Sequence, residues 1–580
     1  MTPRVGYADA EEPKSISRES CRRCWTRRLL SVTRDNRSGR STANEKLGGH
    51  HLKQDILTVT KSVCPECYFE FAGRLGHTQA EIRSACTVEA HIVEREGKLF
   101  FSKSCTKHGY FEDLLSDNAD FTRRSEGLHR DFSALLDVDS HTAHNIVIDL
   151  TNRCDLKCYP CFMNANQSPT QHDLTIEQFS TILDKQAAAY LTIDSNILLS
   201  GGEPTLSPIF LDAVSYARQF GFHRVFAATN GIRFAQDDDF ATLAKKSGLH
   251  GIYLQFDGAT NDTNRHRGVS NLFDVKTKAI QNARRAGLTV TLQTTMIASL
   301  TDKHLEGIMR FALDHSQRIE GILFQPITFT GRDEHQPPSE RAKKRYTLAR
   351  LAADLQNSCA FDWDPLRDWL PFSSCELFHH CMGLCGFKVA TPSSDLHPRH
   401  GQFSLLLQNM RTGAVVPFSA IIDAPKVLTT CAKVLKMLPT IAIRRLAAAI
   451  IIYKYSRFRP LSSIGLSFWQ FLAMRRGCAP SKNTSNPNFK DSEWRLFTVS
   501  AIWFQDLFNL DLNATCRSCA RVLSQDGDFT FCSYNSEVGR RNVESHWGTP
   551  INKLRTDKIY ANGDLIPLFT KQPTADCPPR

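Results

Sequence analysis

The chain has 580 residues, of which 41% are hydrophobic and 23% are charged, and its formal net charge is +11. A chain of this length is expected to form roughly two to four domains, and its composition excludes a mainly disordered polymer. The basic balance suits acidic small molecules, anionic lipid surfaces or nucleic acid, or a merely solubilising surface, and it does not choose among them. No uncharged apolar run reaches the roughly 18–20 residues of a membrane-spanning helix, and no secretory signal is visible near the start.

The cysteines are numerous and grouped. The chain has 19 of them, an odd number, and most lie in short clusters. Both features argue against a disulfide framework. We therefore expect a reducing compartment, the cytoplasm, where thiolates are available to hold metals.

The first segment, residues 1–55, is rich in Arg, Ser and Gly, and it is predicted to be a disordered basic tail that includes Cys21 and Cys24. Residues 56–143 are predicted to form a metal-binding ribbon and a connector. Within them, 93–101 has the pattern of a β-hairpin, because apolar residues flank Glu-Gly-Lys.

The ribbon contains the ligands of a mononuclear metal site. Cys64, Cys67 and Cys105 are predicted to bind the metal, and the fourth ligand is either Cys86 or His108. Four sulfur ligands suit iron or zinc, whereas three sulfurs and one imidazole suit zinc best.

Residues 144–335 show alternating short apolar runs and helical stretches. The predicted strands are 145–150, 196–200, 224–228, 251–256, 289–296 and 321–325. This alternation is typical of a parallel α/β sheet, and six such units fit a partial (βα)6 TIM-like barrel. A helix is predicted at about 175–191, with Thr175 as its cap. In such barrels the functional site lies at the carboxyl ends of the strands.

The cysteine loop after the first of these strands is the most informative string. Cys154, Cys158 and Cys161 are separated by three and then two residues. Three thiolates at this spacing can hold three irons of a 4Fe–4S cluster and leave the fourth iron open to a chelating ligand. The alternatives are a zinc site that lacks its fourth ligand and a chance spacing in a cysteine-rich chain.

Gly201-Gly202-Glu203-Pro204 follows the second predicted strand. Glycines let a backbone approach a ligand closely, and carbonyls with Glu203 can accept hydrogen bonds from a cationic amine. Further polar residues end later strands of the predicted barrel, and we expect ligand contacts from Thr229, Asn230 and Gln255.

With both motifs present, the chain resembles radical S-adenosylmethionine (SAM) enzymes. The resemblance implies a SAM-bound 4Fe–4S cluster, SAM itself, an electron donor such as flavodoxin or ferredoxin, and a 5′-deoxyadenosyl radical that removes hydrogen from a substrate. One departure is Pro160, which stands where an aromatic residue is usual before the third cysteine. Contact with adenine is therefore expected from Tyr159 or Phe162.

Residues 336–580 read as an irregular cysteine-rich region with auxiliary cluster ligands. The candidate ligands are Cys375, Cys381, Cys385, Cys516, Cys519 and Cys532. The alternative is that some of these thiols are small buried hydrophobes. The segment 433–459 combines an apolar centre with basic flanks, which favours either a helix on a membrane surface or a core helix with a basic rim.

Several strings together resemble a narrower group, the tetraether lipid synthases of archaea and their bacterial relatives. They include TKSVCPEC at 60–67, LQFDG at 254–258 and FCSYN at 531–535. The resemblance implies auxiliary 4Fe–4S clusters, a rubredoxin-like iron and carbon–carbon bond formation between lipid chains. A relative in the group methylates a dihydropterin. A departure is Arg521, which stands where the group tends to have a histidine.

Three functions follow from these patterns. The first is a radical SAM enzyme that joins lipid alkyl chains, and the second is a radical SAM methyltransferase that acts on a dihydropterin-like ring. The third is a non-catalytic zinc-binding protein. The expected substrate is apolar or pterin-like, and no nucleic acid is expected. The expected location is the cytoplasm, with peripheral contact at the inner face of the membrane.

Overall fold

The computed structural model describes residues 55–72, 78–136, 145–191, 195–386, 396–457, 494–515, 520–551 and 558–568. All of them belong to one compact unit, residues 54–580. The predicted tail up to residue 54, together with Cys516 and Cys519, lies outside the described residues.

The N-terminal part is a four-stranded antiparallel sheet, here called the ribbon sheet. Its strands, in spatial order, are Asp55–Val63, Thr87–Arg95, Lys98–Cys105 and Gly109–Ser116. Helices Pro65–Ala72 and Gln79–Cys86 lie between the first two strands. The hairpin predicted at 93–101 is confirmed: Arg95 pairs with Lys98, and Glu96 and Gly97 have φ of 51° and 72°, as a tight hairpin turn requires.

A 12-stranded mixed sheet forms the centre of the protein, here called the main sheet. All six predicted strands are present in it as consecutive parallel neighbours. They are Asn145–Thr151, Asn196–Gly201, Arg224–Thr229, Gly251–Gln255, Thr289–Met296 and Gly321–Pro326. Their apolar residues are largely buried. In Arg224–Thr229 and Thr289–Met296 every second residue is buried and the residues between them are half-buried.

The C-terminal region adds strands to both sides of these six. Ala520–Ser524 pairs in parallel with Asn145–Thr151, and Trp494–Ile502 pairs in parallel with Gly321–Pro326. The remaining strands of the main sheet are antiparallel: Leu370–Pro371, Gly401–Asn409, Val415–Pro417 and Gly527–Thr530. The domain boundary predicted at residue 335 stays a prediction. Strands that follow residue 335 in the chain complete the main sheet.

Helices cover the main sheet and bury apolar faces against it. Between the six strands they are Ile176–Ile182, Phe210–Phe220, Ile232–Gln236, Phe240–Ser247, Leu272–Arg285 and Leu305–Asp314. Phe210–Phe220 buries Phe210, Ala213, Val214 and Ala217, the helical spacing of a core-facing stripe. Thr175 caps its helix as predicted, and that helix continues past Ile182 as a π turn, Leu183–Ala187.

The C-terminal region is mainly helical. Its helices are Pro338–Lys344, Leu348–Ser358, Pro365–Asp368, Ser373–Leu384, Phe418–Ile421, Ala424–Met437, Ile441–Lys454, Leu512–Thr515, Phe531–Ser536 and Gly539–Trp547. Two short strands, Thr170–Gln171 and Thr549–Pro550, pair outside the main sheet. Across the described ranges, every helix is too short or too polar to cross a membrane.

A buried ion triad joins the ribbon sheet to the rest of the unit. The Arg345 guanidinium donates to Asp113, on the ribbon sheet, and to Asp506, with 2.8 Å from Nη1 to Oδ2 of Asp506. Its side chain is 1% exposed, and those of the aspartates are 6% and 0% exposed. Two buried carboxylates without a cation would be strongly unfavourable, so this arginine fixes the position of the ribbon.

Replacing Arg345 with Met should therefore lower the free energy of unfolding by about 3–5 kcal/mol, because both carboxylates lose their partner. Urea unfolding followed by tryptophan fluorescence measures this change. Arg123 is a matched control, since it is half exposed and pairs with Glu94 and Asp120. Arg123→Met should change stability by less than about 1 kcal/mol. Equal effects of the two substitutions would contradict this account.

Candidate active site

The cysteine loop lies at the carboxyl end of strand Asn145–Thr151 and faces a cavity of about 310 Å³. Cys154, Cys158 and Cys161 all line this cavity, and their thiols are free. Burial, with Asp155 and Cys158 nearby, raises the pKa of Cys154. Buried thiols ionise readily when a metal ion stabilises the thiolate, so three of them around one cavity fit an iron–sulfur cluster.

Two arginines hold the backbone of the cysteine loop. Arg267 donates from Nη1 to the Pro160 carbonyl at 3.0 Å. Arg332 donates to the carbonyls of Cys158 and Ala165, the second at 2.8 Å, and its own N–H donates to Cys161. These bonds give hydrogen-bond donors to backbone carbonyls of the loop and so hold its conformation.

Asp257 holds Arg267 in place. Its Oδ2 accepts from Arg267 Nε at 2.6 Å and from His266 Nε2 at 2.8 Å, and its Oδ1 accepts from the Thr295 N–H at 3.0 Å. Burial opposes ionisation of Asp257, but Arg267 and His266 outweigh it and hold its pKa below the usual value. The role of Arg267 could not be predicted from the sequence, because a single arginine carries no spacing signal; it ends the short 3-10 helix Asp262–Arg267.

The Gly-Gly turn packs directly on the cysteine loop. The N–H of Gly202 donates to Thr151 at 2.8 Å, and that of Glu203 donates to the Arg153 carbonyl at 2.7 Å. A Cβ on Gly202 would lie 2.1 Å from the Arg153 oxygen, and one on Gly201 would lie 2.2 Å from the Thr151 oxygen. The glycines are therefore required for contact between two loops, in addition to lining the cavity.

Glu203 is a buried hub behind the cavity. Its carboxylate accepts from Thr205 Oγ1 at 2.6 Å, from Thr229 Oγ1 at 2.8 Å and from the Asn230 N–H at 2.7 Å. Burial raises the pKa of Glu203. Thr229 and Asn230 line the cavity, whereas Glu203 and Pro204 do not appear among its described lining residues. Glu203 thus positions the end of the next strand, Arg224–Thr229. Its predicted hydrogen bond with the amine of a ligand stays a prediction.

The two aromatic candidates point to different places. Phe162 lines the cavity, and its ring centroid lies 6.0 Å from that of Phe531. Tyr159 is not among the described residues of the cavity wall, and its hydroxyl accepts from Lys344. Of the two, Phe162 is therefore the one in position to contact a ligand.

Gln255 also lines the cavity, and its side-chain amide makes no hydrogen bond in the described structure. Its amide nitrogen and oxygen are both buried, and neither has a hydrogen-bond partner in the described structure. On the two following strands, Gln293 Nε2 donates to Gln325 Oε1 at 2.6 Å. Unpaired buried amides are unfavourable unless a ligand or water completes them, so this wall is built to pair with polar groups.

The C-terminal region closes part of the cavity wall, which sequence analysis did not predict. Its contribution includes Phe504, Gln505, Cys532 and Asn535. Cys532 Sγ accepts from the Gln505 N–H at 3.3 Å, and burial raises the pKa of its thiol to about 12.

Of the other predicted auxiliary ligands in the described residues, Cys375 and Cys381 lie on the helix Ser373–Leu384, and Cys385 directly follows it. Cys381 and Cys385 pack in an apolar cluster that also contains Cys431, and Cys375 packs against a smaller cluster around Leu370. These three cysteines do not appear among the described residues of the cavity wall. Their ligation of a cluster stays a prediction.

The ribbon sheet carries a second donor set. The ligand atoms of Cys64, Cys67, Cys105 and His108 lie within 4.8 Å of one another. His108 Nδ1 is 3.3 Å from the Cys67 sulfur. Its Nε2 is 3.1 Å from the Glu70 carboxylate, which holds the ring with Nδ1 toward the sulfurs. Cys86 is outside this set, and its carbonyl accepts from the Cys64 N–H.

The cysteine loop, the glycine turn and the parallel sheet define a mixed α/β protein with a cofactor site at the carboxyl ends of its strands. Comparison with known families agrees. Residues 148–312 match the radical SAM superfamily, and residues 56–117 match the HMPTM N-terminal zinc ribbon domain. Residues 148–312 therefore form a radical SAM domain, and the protein is an enzyme that uses a 4Fe–4S cluster and SAM.

Two curated relatives extend the comparison. The chain is 24% identical over 511 residues to a 7,8-dihydro-6-hydroxymethylpterin dimethyltransferase of Methanocaldococcus jannaschii, a match that covers 82% of this chain and 96% of the relative. It is 29% identical over 187 residues to an Fe-coproporphyrin III synthase of Methanosarcina barkeri, covering 32% of this chain and 45% of that protein.

Among solved structures, the chain is similar to Streptococcus suis SuiB bound to the precursor peptide SuiA. The identity is 17%, the TM-score is 0.30, and the match covers 37% of this chain and 45% of SuiB.

The four donor atoms of the ribbon sheet predict that His108, rather than Cys86, is the fourth metal ligand. His108→Ala should remove the bound metal or weaken its binding by about 10–100-fold or more, as loss of a ligand or its support does, whereas Cys86→Ser should leave the metal content unchanged. Elemental analysis of the purified full-length variants, before and after mild chelation, measures both. Loss of the metal from the Cys86 variant with retention in the His108 variant would reverse the assignment.

Proposed function

We propose that this protein is a radical SAM methyltransferase that adds a methyl group to a carbon of a reduced, pterin-like ring. The ligands of its SAM-binding cluster are Cys154, Cys158 and Cys161. When bound, the cluster and SAM supply a radical that can remove hydrogen from an unactivated carbon, a reaction outside the reach of acid–base catalysis. The proposal extends to reduction by a flavodoxin or ferredoxin and to a cytoplasmic location.

The observation that carries this proposal is the glutamine wall: Gln255, Gln293 and Gln325, on three neighbouring strands. Each amide offers a donor and an acceptor. A pterin ring presents alternating donors and acceptors along one edge, so it can complete the unpaired amide of Gln255. An alkyl chain would leave that amide unpaired, which is unfavourable.

Much of the remaining wall of the cavity is apolar. It includes the apolar side chains of Phe226, Leu323, Ile502 and Phe504. Such a combination, apolar walls with a few convergent polar groups, is typical of small-molecule sites. The relative from Methanocaldococcus jannaschii, which matches along most of its length, supports the same substrate class.

The second candidate is carbon–carbon bond formation between lipid alkyl chains. It is favoured by the apolar part of the same wall and by an exposed apolar surface elsewhere on the chain, described below. The third interpretation, a non-catalytic zinc protein, is wrong, because the protein is a radical SAM enzyme.

The two candidates differ in their products. We expect the reconstituted, reduced enzyme with SAM to yield a methylated pterin from a dihydropterin, detected by mass spectrometry, and no joined lipid from dialkyl glycerolipids. A joined lipid without a methylated pterin would overturn the proposal.

Gln255→Leu tests the glutamine wall. Removing the partner of a buried polar group costs about 1–3 kcal/mol, so kcat/KM for the pterin should fall about 5- to 150-fold. Cleavage of SAM without pterin should continue in this variant. Gln219→Leu is the matched control, because Gln219 is exposed on helix Phe210–Phe220 and should have no effect. Unchanged pterin kinetics in the Gln255 variant would show that this amide does not contact the substrate.

A further inference from the structure

An exposed apolar stripe lies on the helix Ile441–Lys454, outside the active site. Ile443, Leu446, Ile450 and Tyr453 are spaced three or four residues apart, so they share one face of the helix. Their exposed fractions are 45%, 63%, 58% and 55%. Large apolar side chains exposed together in this way mark an interaction surface.

The opposite side of this helix is anchored to the protein. Ala448 and Ile451 are buried in an apolar cluster with the helices Ala424–Met437 and Ser373–Leu384. Arg444 donates to the carbonyls of Leu438 and Leu384. The helix therefore presents its apolar stripe on a fixed support rather than as a loose segment.

The helix Ile441–Lys454 and the helix before it in the chain, Ala424–Met437, carry charged residues of one sign. Residues 424–457 contain seven basic residues and no acidic one; the basic residues are Lys426, Lys433, Lys436, Arg444, Arg445, Lys454 and Arg457. Asp423 caps the first helix and pairs with Lys426 at 2.9 Å and with Arg457 at 3.9 Å. Three of the other basic residues are exposed to solvent: Lys433, Arg445 and Lys454. This pair of helices, 424–437 and 441–454, is here called the basic helix pair.

We propose that the basic helix pair docks the enzyme on an anionic phospholipid bilayer, with the apolar stripe in the headgroup region and the lysines and arginines against phosphates. Apolar area and attraction to anionic lipids together are what hold helices in the membrane interface. Met437, the last residue of the first helix, is 84% exposed and adds a further apolar side chain to the surface of the basic helix pair.

A second copy of the chain fits this surface less well. A two-fold symmetric contact brings the same patch of both copies together, and here it would face basic residues with basic residues. Like charges opposed across an interface are unfavourable. The charge of the surface thus selects an anionic partner.

Flotation of the full-length protein with phospholipid vesicles tests the proposal. We expect binding to vesicles that contain phosphatidylglycerol, weaker binding to phosphatidylcholine alone, and loss of the difference at about 1 M salt, where screening is nearly complete. Each basic residue near an anionic surface contributes about fivefold in affinity. K433Q/K454Q should therefore weaken binding by about 25-fold. L446Q/I450Q should weaken it by at least about tenfold.

Matched controls exist on the helix Phe240–Ser247. Leu243 is 46% exposed and Lys246 is also exposed, so L243Q/K246Q changes the same residue types away from the basic helix pair. This control should bind vesicles like the unaltered protein, and all variants should cleave SAM normally. No binding to anionic vesicles at low salt, or equal binding by every variant, would overturn the proposal. A dimer that L446Q/I450Q dissociates, without any vesicle binding, would instead assign the surface to a second copy.

Discussion

The structure of the site depends on the contact between the glycine turn and the cysteine loop. Backbone bonds from Gly202 and Glu203 to Thr151 and Arg153 join the ends of the first two parallel strands. The buried carboxylate of Glu203 then joins the second strand end to the third through Thr229 and Asn230. One buried acid and two glycines thus set the relative positions of three loops around a single cavity.

Further constraints lie outside this contact. Two arginines donate hydrogen bonds to carbonyls of the cysteine loop. They are Arg267, which Asp257 holds in place, and Arg332. The triad of Arg345, Asp113 and Asp506 fixes the ribbon sheet against the same unit. Arg267 and Arg345 are buried charges that are favourable only beside their carboxylate partners, so the geometry around them tolerates little change.

Much of the fold could be predicted from the sequence, because buried parallel strands are short apolar runs with helices between them. All six strands of the predicted barrel followed from that pattern. The cap at Thr175 followed from a threonine directly before a helical stretch. Strands Trp494–Ile502 and Ala520–Ser524 were missed, since they join the sheet far from their sequence neighbours and no local signal shows the pairing. The loop glycines were predicted, but their contact was assigned to a ligand, because close approach of two backbones leaves no other trace in sequence. Spacing alone could not choose between Cys86 and His108. The turn between Cys105 and Gly109 brings His108 beside the sulfurs, which favours His108.

We expect the cysteine loop at the strand ends to support cleavage of SAM. Anaerobic incubation of the reconstituted protein with SAM and a strong reductant, followed by quantification of 5′-deoxyadenosine, tests it most directly. We predict multiple turnovers for the unaltered chain and none for Cys158→Ala, with the ribbon metal retained in both proteins. Equal 5′-deoxyadenosine formation by the Cys158 variant would contradict the account.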